Sequence, residues 1–239
     1  MTMPKVIIND PSTNRTAPQQ PRQRCPEGLE SYKAVPPPSP PKKSEPVDPI
    51  EELIAISDIL NSSEGRLLGE SPLDFLREHL PEFAESMKIF STRALLPRTK
   101  VAADFHAACD NVPNVLVIIK SGQYIAGGYT EVPFESREYD HQNKTHFKPD
   151  ANLSTFVFSA NKRKVYSLKD KENALNCDKN NGPSFGLNGL RVFNDYRSKN
   201  NFDYLFYSSS NFHSENAVEG ELFGTYEFTI DEYEVFRLN

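Results

Sequence analysis

The three cysteines are the first candidates for covalent chemistry in this sequence: Cys25, Cys109 and Cys177. A reactive thiol needs a lowered pKa and access to solvent. Cys109 lies at the C-terminal end of an apolar helical stripe and Cys177 precedes Asp178, so neither position favours a thiolate. The wide spacing shows no disulfide or zinc pattern. We expect reduced, inert thiols; a thiol-dependent antioxidant enzyme that uses Cys109 or Cys177 is the alternative.

A serine between small residues is the second candidate. It lies in Gly182-Pro183-Ser184-Phe185-Gly186, which does not match the G-x-S-x-G pattern of a nucleophile elbow. His213 is the one histidine downstream of it. The segment therefore predicts a tight turn that places Phe185 in the core, and we assign no catalytic residue.

Carboxylates cluster near the C-terminal end, at Asp231, Glu232 and Glu234. Strand alternation places Asp231 opposite Glu232, so we expect a solvated acidic face without a metal. His141 and His146, in a polar loop, show no zinc arrangement. The sequence predicts no metal and no cofactor.

The adjacent glycines Gly127 and Gly128 lie in a predicted strand. No phosphate-binding glycine motif surrounds them. Glycine in a strand allows a bulge or a close approach of another chain segment. We therefore interpret the pair as structural.

The composition separates an N-terminal tail from a folded body. Twelve of the nineteen prolines fall in residues 1–50, and "AVPPPSPPKK" favours polyproline conformation. We predict that residues 1–46 are disordered, either as a spacer or as a docking site for an SH3- or WW-type partner. Residues 51–239 hold 20 basic and 28 acidic side chains, which argues against nucleic-acid binding. Neither a membrane-spanning run nor a secretory signal is evident, so we expect a cytoplasmic protein.

Apolar spacing then places the elements. Helices are predicted over 49–60, over 72–80 and within 97–111. From Val115 the period changes to that of strands, and "VLVII" is typical of a strand buried on both faces. Turn signals between many short strands, including one at Asn181–Gly182, indicate an antiparallel sandwich.

Five motifs follow one another along the later part of the chain: "FHAACDN", "VPNVLVIIKSGQYIAGGYTEVPF" with Tyr129, "DANLSTFVFS", "ENALNCDKNNGPSFG" and the closing "FTIDEYEVFRL" with Glu234. In this order they resemble the TLDc domain family over about residues 86–239. The chain departs from the family in its long loop 135–149 and in having no tryptophan, and Phe134 is expected to take the place of one.

The resemblance implies two antiparallel sheets packed as a sandwich, with short helices against it. It implies a role in oxidative-stress resistance and, for some members, binding of the vacuolar proton-pumping ATPase, without an accepted catalytic constellation. We thus expect a tail at 1–46, a helical extension at 47–85 and a TLDc-like domain at 86–239, acting as a non-enzymatic interaction module with a protein partner.

A ligand-binding sandwich that uses Tyr204, Phe206 and Tyr207 is a further alternative. The motif residues to which we assign structural roles are Gly127, Gly128, Tyr129, Gly182, Pro183, Phe185, Gly186 and Glu234.

Overall fold

The computed structural model describes most of the chain beyond the proline-rich tail. The described residues are 47–94, 101–169, 171–186, 189–193, 202–206, 212–213, 220–225 and 227–239. All of them belong to one contiguous unit, residues 45–239. The predictions for residues 1–46, including Cys25, lie outside the described residues.

Three α-helices and thirteen strands occur in the described part of the chain. The helices are α1 (Pro49–Ile56), α2 (Ser63–Arg66) and α3 (Val101–Cys109). The strands are β1 (Ser86–Ser91), β2 (Val115–Ser121), β3 (Tyr124–Thr130), β4 (Phe147–Lys148), β5 (Phe156–Ser159), β6 (Lys164–Leu168), β7 (Leu175–Asn176), β8 (Asn181–Phe185), β9 (Leu190–Phe193), β10 (Phe202–Phe206), β11 (Phe212–His213), β12 (Glu227–Ile230) and β13 (Glu232–Leu238).

The strands form two antiparallel sheets. The larger sheet has the order β1-β13-β2-β3-β5-β6-β11, and the smaller has the order β12-β10-β9-β8-β7-β4. The β2–β3 and β5–β6 pairs are antiparallel hairpins. The mainly β, two-layer antiparallel fold is confirmed.

The larger sheet is buried on both faces. Val115, Val117 and Ile119 of β2 point into a core that also contains residues of the smaller sheet and of α3. Leu116 and Ile118 point the other way, into a second core shared with the N-terminal extension. The continuous apolar run of β2 therefore reflects two covering layers, as the sequence predicts.

The extension covers the outer face of the larger sheet. Helix α1 begins as predicted, because the Asp48 side chain accepts a hydrogen bond from the amide of Ile50 and Pro49 occupies the first turn. The predicted helix over 72–80 is wrong: the segment contains only a 3₁₀ turn at Asp74–Leu76, and Leu73, at the N-cap position before it, makes no capping side-chain bond. Leu73 and Leu76 are nevertheless buried in the second core, and the partly buried Leu80 packs against it.

The segment after β7 also differs from expectation. Asn181 and Gly182 are not a turn; they begin β8, and the preceding turn is closed by Asp178, whose side chain accepts from the Asn180 amide. Likewise Gly182–Phe185 is not a tight turn but part of β8, which has a register shift between Asn181 and Ser184, and Gly186 follows the strand. The sequence did not predict β1, because apolar and polar residues do not alternate clearly along it.

Candidate functional site

A buried carboxylate joins the extension to the last strand. Glu234 on β13 is fully buried, and Ser57 Oγ donates a hydrogen bond of 2.6 Å to its Oε2. The backbone amides of Asp58 and Ile59 donate to the same carboxylate at 3.0 and 3.4 Å. The prediction of a solvated acidic face is therefore wrong for Glu234, because the extension covers the face of the sheet on which this side chain lies.

Lys88 supplies the countercharge for this site. Its Nζ lies 2.7 Å from Oε1 of Glu234 and 2.8 Å from Oδ2 of Asp58. Burial opposes the charged form of Lys88, but the hydrogen bonds to the two carboxylates outweigh it and raise the lysine pKa. The hydrogen bond from Lys88 lowers the pKa of Asp58. The three side chains thus form a paired network that joins the turn after α1 to β1 and β13.

Glu232 lies beside this network. Oxygens of Asp58, Glu232 and Glu234 lie within 4.8 Å of one another, close enough to share one cation. The Lys88 ammonium already bonds two of them, and Arg93 Nε lies 3.8 Å from Glu232. Burial raises the pKa of Glu232. The group is therefore a charge-paired junction, and the geometry assigns it no metal-dependent chemistry.

The glycine pair lies where neighbouring strands of the larger sheet and an aromatic ring of the smaller sheet come close to β3. A Cβ atom on Gly127 would lie 1.9 Å from the carbonyl oxygen of Val117. A Cβ atom on Gly128 would lie 2.9 Å from the ring of Phe185, which comes from the smaller sheet. The adjacent Tyr129 is fully buried, and burial raises the pKa of its phenol. The glycines make room for neighbouring backbone and aromatic atoms.

The Gly182–Gly186 segment packs in the interior. Phe185 is fully buried and meets Phe134 edge-to-face, with 5.8 Å between the ring centroids. Pro183 lies within β8, and Gly186 has φ of +72°, a conformation that favours glycine. The Ser184 hydroxyl is buried and donates to the Gly182 carbonyl, so it is not presented as a nucleophile.

Both described cysteines are buried in the core between the sheets. Burial raises the pKa of the Cys177 thiol to about 11 and that of Cys109 further above its ordinary value. The thiolate is the reactive form, so neither position has the environment of a redox-active thiol.

A polar cluster that the sequence analysis did not identify lies at the end of α3. His106 Nδ1 lies 2.7 Å from Asp110 Oδ1, while Nε2 faces the carbonyl oxygens of Asp178 and Asn181 at 3.3 and 3.1 Å. Ser136 Oγ donates to Asp110 rather than to the histidine. A serine nucleophile requires a base bonded to its hydroxyl, so this cluster joins α3 to the 178–181 turn instead of activating a serine. The i,i+4 spacing of His106 and Asp110 was its only local signal.

The aromatic residues of the ligand-binding alternative cannot be placed. Tyr204 and Phe206 lie on β10, but their side chains, like the whole of Tyr207, are outside the described residues.

Two packed antiparallel sheets define a β-sandwich domain, whose buried features include a charge-paired junction and two thiols. A family model described as the TLDc domain matches residues 61–239, about three quarters of the chain. The chain therefore belongs to the TLDc domain family. A search of curated proteins finds no match. None of the described helices has the length and apolar character needed to span a membrane.

The family match begins at residue 61, inside the segment that we predicted as a separate extension over 47–85. Ile59 and Leu60 at this point are buried in the second core. The boundary at residue 86 stays a prediction, which the fragment experiment described below tests.

Proposed function

We propose that this TLDc-type module acts without catalysis, as a cytoplasmic protein-interaction module in oxidative-stress protection, and that the vacuolar proton-pumping ATPase is its partner. The membership of residues 61–239 in the TLDc family carries this proposal. Binding of a protein partner and oxidative-stress resistance are the activities that the family resemblance implies.

The geometry supports an interaction role over thiol chemistry. Cys109 and Cys177 are buried and have raised pKa values, while Glu234 is held by Ser57 and Lys88. These groups lie in the core or in the charge-paired junction, where they stabilise the folded domain. We therefore assign recognition of a protein partner to the exposed surface of the domain and to the charged side chains on that surface.

Native co-purification tests the partner. The tagged full-length chain is recovered from cells under non-denaturing conditions, and the bound proteins are identified by mass spectrometry. We expect subunits of the vacuolar ATPase to be enriched over a tag-only control. Recovery of the folded chain without any subunit of this ATPase would remove that partner.

Peroxide survival separates the interaction role from the thiol alternative. In cells that lack the protein, the Cys109→Ala/Cys177→Ala variant should protect as well as the wild-type chain at equal abundance. Lost protection, with the thermal unfolding midpoint unchanged, would favour the thiol-dependent enzyme.

A further inference from the structure

An open groove lies where the chain enters the folded body. It has a volume of about 350 Å³ and lies between the start of α1, at Pro49 and Ile50, and the segment Leu80–Phe83. Its walls are largely apolar, and Glu82 and the Asp48–Arg77 ion pair line its polar side. A concave apolar surface with a charged border can hold one apolar side chain of a peptide together with charged neighbours.

The surroundings of this groove carry most of the negative charge of the folded body. Residues 47–85 contain ten acidic and two basic side chains, whereas residues 86–239 contain nineteen acidic and eighteen basic ones. The extension is thus a strongly acidic layer on a nearly neutral sandwich. Such a segregated field attracts basic partners and orients them.

Several of these carboxylates are available at the groove. Five of them lie on it or within two residues of a lining residue, and among the described residues none is in an ion pair: Glu51, Glu52, Glu78, Glu82 and Glu85. All except Glu52, which is half-buried, are exposed. Among the described residues that line the groove, Arg77 is the one cation, and it is already bound by Asp48 and Asp74. A ligand in the groove would therefore contact apolar side chains and lie near carboxylates that no ion pair among the described residues neutralises.

We propose that this groove binds a basic segment of a partner protein, with an apolar side chain seated between α1 and Leu80–Phe83 and flanking Lys or Arg residues against the carboxylates. This inference rests on the proposed interaction function and names the chemistry of the partner. A second copy of the chain is a poor occupant, because its net charge is −6 and its folded body is acidic.

Direct binding tests the inference with the full-length chain. The probe is a fluorescent peptide, KRKLPLKRK with blocked ends, titrated at low salt, and the control is its charge-reversed counterpart EDELPLEDE. We expect saturable binding of the basic peptide alone. Glu51→Lys/Glu82→Lys should weaken this binding about tenfold, since each exposed charge contact contributes modestly and reversal replaces attraction by repulsion.

A matched variant separates the groove from net charge. Glu70→Lys/Asp104→Lys makes the same change in total charge at exposed positions that do not line the groove, and it should bind the basic peptide within about twofold of wild type. Equal loss in both double variants, or no saturable binding, would overturn the proposal. Failure here while ATPase subunits still co-purify would reject the groove and retain the proposed function.

Other occupants are distinguished in the same assay. If Lys42→Glu/Lys43→Glu raised the affinity for the peptide more than tenfold, the chain's own basic segment would be the occupant, and the partner proposal would fail. If the chain were dimeric by light scattering and the peptide made it monomeric, a second copy would be the occupant. We expect neither change.

Discussion

Single residues hold the N-terminal extension against the larger sheet, and Glu234 is the clearest case. Its carboxylate accepts hydrogen bonds from Ser57 and from two backbone amides and pairs with Lys88. A buried charge is costly unless it is paired and hydrogen-bonded, so each partner of this network depends on the others.

Glu234→Gln should therefore lower the free energy of unfolding by about 3 kcal/mol, because it leaves Lys88 without its buried partner. Urea denaturation measures this change. The effect of Glu234→Gln should be smaller in a Lys88→Met background, which gives a non-additive double-mutant cycle. Glu85→Gln, at an exposed position without an ion pair among the described residues, is the control and should change stability by less than about 0.5 kcal/mol. Equal effects of the two Glu→Gln changes would contradict the assigned role.

The glycine pair gives a second prediction at this scale. Gly128→Val should destabilise the fold by more than about 1 kcal/mol, because the new side chain meets the Phe185 ring and the Phe156 carbonyl. Gly127→Ala should cost more than Gly128→Ala, since its Cβ would meet the fixed backbone oxygen of Val117 rather than a ring that can shift. Thermal melts of the three variants test the order; an unchanged midpoint for Gly128→Val would refute the packing argument.

At the scale of elements, the extension is a covering layer of the larger sheet. Leu116, Ile118 and Phe236 are fully buried only because Leu53, Leu76 and their neighbours cover them. Removing this layer exposes a continuous apolar surface to water, at a cost of about 25 cal/mol for each Å².

A fragment of residues 86–239 should therefore aggregate or melt without cooperativity, while residues 47–239 should fold as the full chain does. Soluble yield and circular-dichroism melts compare the two fragments. A fragment 86–239 that melted cooperatively at the same temperature as 47–239 would show instead that the predicted boundary at residue 86 is a true domain boundary.

These elements also show what sequence alone could provide. The β-rich architecture, the hairpins around Gly122 and around Arg163, and α1 with its Asp48 cap follow from local periodicity and turn chemistry, which act over a few residues. The Glu234 network could not be predicted, because Ser57 and Glu234 are 177 positions apart and the motif that contains Glu234 does not indicate its partners. The helix predicted over 72–80 failed for a related reason, since its leucine spacing suits a 3₁₀ turn packed on a sheet as well as a helix.

At the scale of the whole molecule, buried titratable groups link stability to pH. Burial lowers the pKa of His146, against the opposing influence of Asp178 and Asp140, and Arg191 lowers it further. Burial would raise the pKa of Asp150, but hydrogen bonds from Thr155, Ser154 and the Asn152 amide outweigh it and lower that pKa. Both groups bind protons more weakly when folded than when unfolded.

Both lowered pKa values predict that the protein is less stable at low pH. Each depressed group contributes stability above its unfolded pKa and loses it as the pH falls towards the folded value. The free energy of unfolding should therefore fall as the pH drops below about 6.5, first through His146. It should fall again below about 4, through Asp150 together with ion-paired carboxylates such as Asp58 and Glu135, whose pKa values are also lowered. His146→Asn, which retains an acceptor for the Asp140 amide, should flatten the first decline only. Denaturation at a series of pH values measures both steps; an unaltered first decline in this variant would exclude His146 as its source.

The position of β13 has a consequence for how the protein is made. This strand lies inside the larger sheet, between the edge strand β1 and β2, yet it comes last of the thirteen described strands in chain order. During translation, β1 and β2 leave the ribosome long before β13 does. Until β13 is synthesised, the backbone groups that pair with it stay unpaired and the apolar side chains beside it stay exposed to water. A stop codon just before β13 would thus separate β1 from the rest of the sheet and abolish the fold, although the other twelve described strands had been synthesised.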